Sequence, residues 1–312
     1  MIFYFLLLFS SAFASESEAL TENQVPPALP IADKIHGTLS EQLIFISDRI
    51  DNFFVEERME HEGSRSRVVL SYLVTFTESE QPLSEYLIRA RLNFPKTQRK
   101  LKLVVESSVG LDNEAVDGEV SRDLINAEDN AQYSTALQFV FTESELWRVS
   151  TSAGMRFSTP LDPFVRLRLR RHFFNQEWIF RIIETLFWYE LEGFGESTEF
   201  NAERKLNDEF YFKSASKLAA SEDNSDVSFT QKFSVFQRLQ DKKAMAYSIG
   251  MESNVNHPAT VSRYYTNVAF RHNFYKEWAF YEIVPELSFP RDDGYQASAS
   301  ILFALDIVFG KY

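Results

Sequence analysis

The sequence predicts an all-β fold: an antiparallel transmembrane β-barrel of about 14 strands, preceded by a short N-terminal helical segment. Three observations carry this. Alternation of period two recurs from Ser64 almost to the C-terminus, broken at short intervals by turn-forming residues. No apolar run beyond the N-terminus is long enough for a membrane-spanning helix, leaving a closed barrel as the structure that satisfies every backbone group in lipid. The chain also carries 30 Phe, 13 Tyr and 4 Trp, many of them near the ends of the alternating segments.

Composition narrows the class. With 45% hydrophobic and 25% charged residues, the 312-residue chain is neither disordered nor fibrous. The absence of cysteine excludes disulfide frameworks, thiolate nucleophiles, Cys-ligated zinc, iron–sulfur clusters and a lipid anchor on an N-terminal Cys.

Residues 2–13 (IFYFLLLFSSAF) form the longest apolar stretch, and Ala12-Phe13-Ala14 supplies a small-x-small cleavage pattern before acidic Ser15-Glu16. Residues 1–14 are therefore expected to be a secretory signal peptide. Residues 15–63 read as an acidic periplasmic linker, with 11 acids against 3 bases between 16 and 62 and prolines at 26, 27 and 30. Within it Leu39, Leu43, Ile46, Ile50 and Phe53 fall at helical spacing. That helix has three open roles: packing on the body of the protein, plugging a pore, or a coiled-coil seam. Residues 64–312 are the expected barrel.

Strands are expected near 65–77, 84–94, 98–108, 131–142, 146–158, 163–174, 177–190, 196–206, 208–219, 226–239, 243–254, 260–273, 277–289 and 294–310. Tyr86, Ile88, Ala90, Leu92 and Phe94 share one face, with Arg89, Arg91 and Asn93 on the other. Tyr133, Thr135, Leu137, Phe139 and Phe141 alternate with Gln132, Ser134, Ala136 and Gln138. A soluble sandwich would alternate in the same way, so further features must separate the two. Connections after even-numbered strands are short, whereas the longest, 109–130, follows an odd one. Trp147, Trp178, Trp188, Trp278, Phe94, Phe173, Phe174, Phe274, Tyr275 and Phe289 lie near turns, as interfacial girdles require.

The last strand places Ile301, Phe303, Leu305, Ile307 and Phe309 on one face. It resembles the C-terminal assembly signal of Gram-negative outer-membrane β-barrels. The resemblance covers residues 65–312 and is to the class as a whole. It implies an outer-membrane location after signal-peptide cleavage, contact with outer-membrane lipid, and insertion by the barrel-assembly machinery.

An internal repeat, R-H-x-F-x-x-E-W-x-F, begins at Arg171 and again at Arg271. Arg171, His172, Glu177 and Trp178 in the first copy and Arg271, His272, Glu277 and Trp278 in the second are expected at short turns facing the periplasm. There Trp and Phe would mark the interface while Arg, Glu and His cap the turn; a paired docking or gating feature is the alternative.

Inward-phase positions on the first six strands are largely basic: Arg65, Arg67, Arg89, Arg91, Lys100, Lys102, Arg148, Arg156, Arg166, Arg168 and Arg170. The later strands contribute an acidic wall of Glu184, Glu199, Glu203, Glu252, Glu282, Glu286 and Asp306, mixed with Lys205, Lys213 and Arg263. Across a water-filled lumen the two walls would set a transverse field, suiting a pore or channel for small solutes, anionic ones favoured. If instead the charges pair and fill the lumen, the chain is a structural or assembly barrel whose N-terminal segment meets a periplasmic partner.

An enzyme is not expected. No H-E-x-x-H, G-x-S-x-G, phosphate loop or dinucleotide fingerprint occurs. His257 with Ser253 or Ser262 is the one candidate for a rim-active lipid hydrolase. Asp112, Glu114, Asp117, Glu119 and Asp123 lack EF-hand spacing, so neither a metal nor a cofactor is expected. A net charge of −13 argues against a nucleic-acid partner.

Overall fold

The computed structural model describes residues 66–78, 81–94, 100–109, 131–144, 146–222, 227–240, 242–254, 260–276 and 278–310. The signal peptide, the linker with its helix, Arg65, the acidic loop, His257 and Glu277 lie outside the described residues. Fourteen strands are present: β1 (Arg67–Thr77), β2 (Leu83–Asn93), β3 (Leu101–Val109), β4 (Ala131–Glu143), β5 (Trp147–Phe157), β6 (Asp162–Asn175) and β7 (Trp178–Tyr189). They continue as β8 (Gly193–Lys205), β9 (Phe210–Ser221), β10 (Ser228–Gln240), β11 (Lys243–Asn254), β12 (Thr260–Tyr275), β13 (Ala279–Pro290) and β14 (Ser298–Gly310). No helix occurs among the described residues.

Each strand pairs antiparallel with its sequence neighbours, and β1 closes on β14 from Arg67↔Gly310 to Thr77↔Ser300. Closure removes both free edges of the sheet. Most strands have 11 to 14 residues, enough to cross a bilayer when tilted. Most connections after even-numbered strands are short, residues 94–100 between β2 and β3 being the exception. Residues 176 and 177 join β6 to β7, whereas β3 and β4 are separated by residues 110–130.

Antiparallel partners share a face, so the register passes the inward or outward assignment from strand to strand. Leu70, Tyr72, Leu137, Phe139, Val165, Phe233, Ile249, Phe303, Leu305 and Phe309 all lie in the outward phase and are exposed. This belt surrounds the barrel. In water it would be an aggregation surface; in hydrocarbon it is the expected exterior. The inward phase is buried. Leu73, Leu87, Tyr211, Phe236, Ala269, Val284 and Leu302 form one apolar cluster along the inner face of β9–β14 and β1–β2.

Tight contacts fix parts of the wall. A Cβ on Gly154 would lie 2.1 Å from the Thr135 carbonyl oxygen and 2.7 Å from Ala136 Cα, both backbone atoms of the neighbouring strand. Gly154→Ala is therefore expected to destabilise the barrel by about 1–3 kcal/mol, the usual range for overpacking. Urea unfolding in detergent micelles checks this, with Gly294→Ala less informative because that glycine has a positive φ of 64° despite open surroundings.

Candidate functional site

The candidate site is the inner face of the barrel. On strands β1–β6, Arg67, Arg89, Arg91, Lys102, Arg148, Arg156, Arg166, Arg168 and Arg170 all fall in the inward phase, and Lys100 stands at the rim just before β3. The register groups them. Arg67 faces Arg91 across β1–β2, and Arg148 faces Arg170 across β5–β6, with Arg168 and Arg166 opposite Ser150 and Ser152. Arg91, Arg166, Arg168 and Arg170 are partly exposed to the lumen, while Arg67, Arg89, Lys102, Arg148 and Arg156 are buried.

The acidic wall differs from its sequence reading. Glu199, Glu203, Glu252, Glu282, Glu286 and Asp306 face inward, but they meet arginines and other donors on the same wall. Arg271 binds Glu282 at 2.8 Å and Asp306 at 2.7 Å. Arg263 binds Glu252 at 2.7 Å and Glu286 at 3.0 Å, and Asn267 donates to Glu286 at 3.0 Å. Arg181 and the Tyr211 hydroxyl both donate to Glu203, and Asn201 donates to Glu199 at 2.5 Å. Arg181, Lys213, Lys217 and Lys232 also face inward, so this wall is mixed and close to balanced rather than acidic. The apolar faces of β9 and β10 already mark Lys217 and Lys232 as inward, whereas β7 carries large apolar side chains on both faces and leaves Arg181 undecided.

Glu184 is corrected outright. It pairs with Leu169 on one side and Thr198 on the other, in the outward phase shared by Ile182, Leu186 and Phe200. It faces the hydrocarbon near the middle of β7, and its carboxylate accepts a hydrogen bond from Thr198 Oγ1 at 2.7 Å. The error is one of phase: the inward residues of β7 are Ile179, Arg181, Ile183 and Thr185.

The repeat also resolves differently from its expected pattern. As hairpins its copies match, since His172 faces Arg181 and His272 faces Tyr281. They present opposite faces to the lumen. Arg171 points outward, its guanidinium 4.6 Å from the Trp147 ring and 4.5 Å from Phe173, in an interfacial position. Arg271 points inward and is fully buried, so it does not cap the turn. His172 is inward beside Phe174, while His272 is outward, 3.3 Å from the Tyr281 hydroxyl. Glu177 pairs with Arg204 at the turn, and Trp178 stacks on Phe180 at 5.9 Å. Trp278 sits 5.2 Å from the Tyr275 ring. The intervening turns and the irregularity at Glu252/Ser253 shift the alternation by an odd number of residues, and that inverts the second copy.

Outside the membrane-spanning strands, Lys205 donates to Asp208 at 2.5 Å and holds that carboxyl below its ordinary range. No group of metal-ligating side chains occurs among the described residues.

A closed, even-stranded antiparallel barrel with an apolar outer belt, short turns at one end and a charged interior defines an outer-membrane-type β-barrel protein. No protein-family profile matches the chain, and no curated sequence does. Among solved structures the chain is similar to the outer-membrane channel DcaP of Acinetobacter baumannii, with 8% identity over 78% of this chain and 96% of that one and a TM-score of 0.46. It is also similar to OmpT of Vibrio cholerae, with 10% identity over 78% and 97% of the two chains and a TM-score of 0.44. A third is the KdgM porin, with 6% identity over 77% and 99% and a TM-score of 0.37.

Two outcomes follow from the geometry. Arg271→Leu leaves Glu282 and Asp306 buried without their guanidinium, and is expected to cost about 3–5 kcal/mol in urea unfolding from micelles. Glu184→Leu removes a carboxylate from the lipid face and is expected to raise stability by about 1 kcal/mol in the same assay.

Proposed function

We propose that the barrel admits small anionic solutes along the basic side of its lumen, lined by Arg91, Arg166, Arg168 and Arg170. The observation that supports this is the asymmetry of the inner face. The β9–β14 wall is packed with apolar side chains and carboxylates held by arginines of that wall. The β2–β6 wall instead concentrates guanidinium groups that retain exposure. A low-dielectric wall with an excess of one sign of charge attracts the opposite ion and raises its local concentration. A barrel of about 14 strands is wider than the eight-stranded kind that its own side chains fill.

The packed half favours a second reading, in which the interior is filled and the protein has a structural role. Planar-bilayer conductance of the folded protein separates the two. The pore reading expects steady anion-selective steps, with selectivity moving toward cations when Arg91, Arg166, Arg168 and Arg170 are replaced by Glu. The shift should be larger at low salt, where screening is weaker. Silence from protein with the heat-modifiable mobility of a folded barrel overturns it.

A further inference from the structure

At the short-turn end of β2–β6 the inner wall carries buried polar groups that find no hydrogen-bond partner. Lys102 lies on β3 between Asn93 of β2 and Gln138 of β4. It is 0% exposed, and its ammonium makes no hydrogen bond. Both side-chain amide atoms of Asn93 and the Oε1 of Gln138 are likewise buried without partners. Amide rotation can turn the donor end of either side chain toward a ligand.

The charges around this point have one dominant sign. Arg91 lies two residues from Asn93 on β2, and Arg148 of β5 faces Arg170 of β6 on one side and Glu143 of β4 on the other, all in the inward phase. Glu143 stands at the rim with a half-exposed side chain, 3.8 Å from Arg148. A buried ammonium without a partner is costly, and converging cations add to that cost. An anion placed among them reverses both terms.

We propose that Asn93, Lys102, Gln138, Arg148 and Arg170 form a binding site inside the barrel for a multiply charged oxyanion of the phosphate class. The ammonium supplies a point charge for one oxygen, the guanidinium forks hold oxygen pairs, and the amides donate to the remainder. A dianion with several oxygens matches this cluster better than chloride or a monocarboxylate, because it can meet an ammonium, a guanidinium and amide donors at once. The site deepens the pore reading by naming the solute class, and it lies on the inner face, out of reach of lipid headgroups.

Calorimetric titration of the folded, full-length protein in zwitterionic micelles tests it without any membrane current, so its failure and that of the pore reading are told apart. With inorganic phosphate in a phosphate-free buffer, saturable binding is expected, with sulfate weaker and chloride without effect. Lys102→Met keeps the length of the side chain and removes the charge; it is expected to weaken phosphate binding at least tenfold. The same variant should unfold at higher urea than the native protein when phosphate is absent, which separates loss of the site from loss of the fold. Asn93→Ala should weaken binding several-fold, and Arg291→Gln, on an exposed turn, should leave it unchanged. No saturable binding to folded protein, equal binding of chloride, or an unchanged affinity in Lys102→Met overturns the proposal.

Discussion

Closure of β1 on β14 is the constraint on which the rest depends. In lipid the backbone has no water to bond to, so each N–H and C=O must find a strand partner, and the ladder has to run around a complete circuit. Once it does, the face taken by any side chain is inherited from its cross-strand neighbours. An isolated segment can choose its phase; a strand in a closed barrel cannot.

That inheritance explains two features that conflict with local pattern. Glu184 faces hydrocarbon because Leu169 and Thr198, its partners on either side, already do, and Ile179, Ile183 and Arg181 occupy the inner positions of the strand. The near-identical hairpins at Arg171 and Arg271 place their cations on opposite faces for the same reason. One guanidinium rests between aromatic rings at the interface, and the other joins two carboxylates inside. Similar sequence here does not make similar environments.

The same circuit divides the interior. Carboxylates on β8 and β11–β14 lie beside arginines one or two strands away, so their charge is met locally and the surrounding positions can pack apolar side chains. On β2–β6 the inward phase carries more guanidinium groups than carboxylates, although Arg156 binds Asp162 and Glu192 and Arg89 faces Glu106, and the Lys102 ammonium and the Asn93 side-chain amide are buried without hydrogen-bond partners. Buried polar groups without hydrogen-bond partners are costly to the chain that carries them.

Much of this was legible in the sequence. The number of strands, their bounds to within a few residues and the two faces of each strand all follow from period-two alternation and turn residues, which are local properties. Alternation identifies two faces but not which of them is inside. On strands with a strong apolar face, such as β1, β4 and β14, hydrophobicity decides that directly. On β7 both faces carry large apolar side chains, and there the sequence misplaced Glu184 and passed over Arg181. The pairings of Arg271 with Glu282 on β13 and Asp306 on β14, and the placement of Asn93, Lys102 and Gln138 side by side on β2, β3 and β4, join different strands. Only the tertiary structure decided them, because the register around a closed barrel is set by all the strands together and by no segment alone.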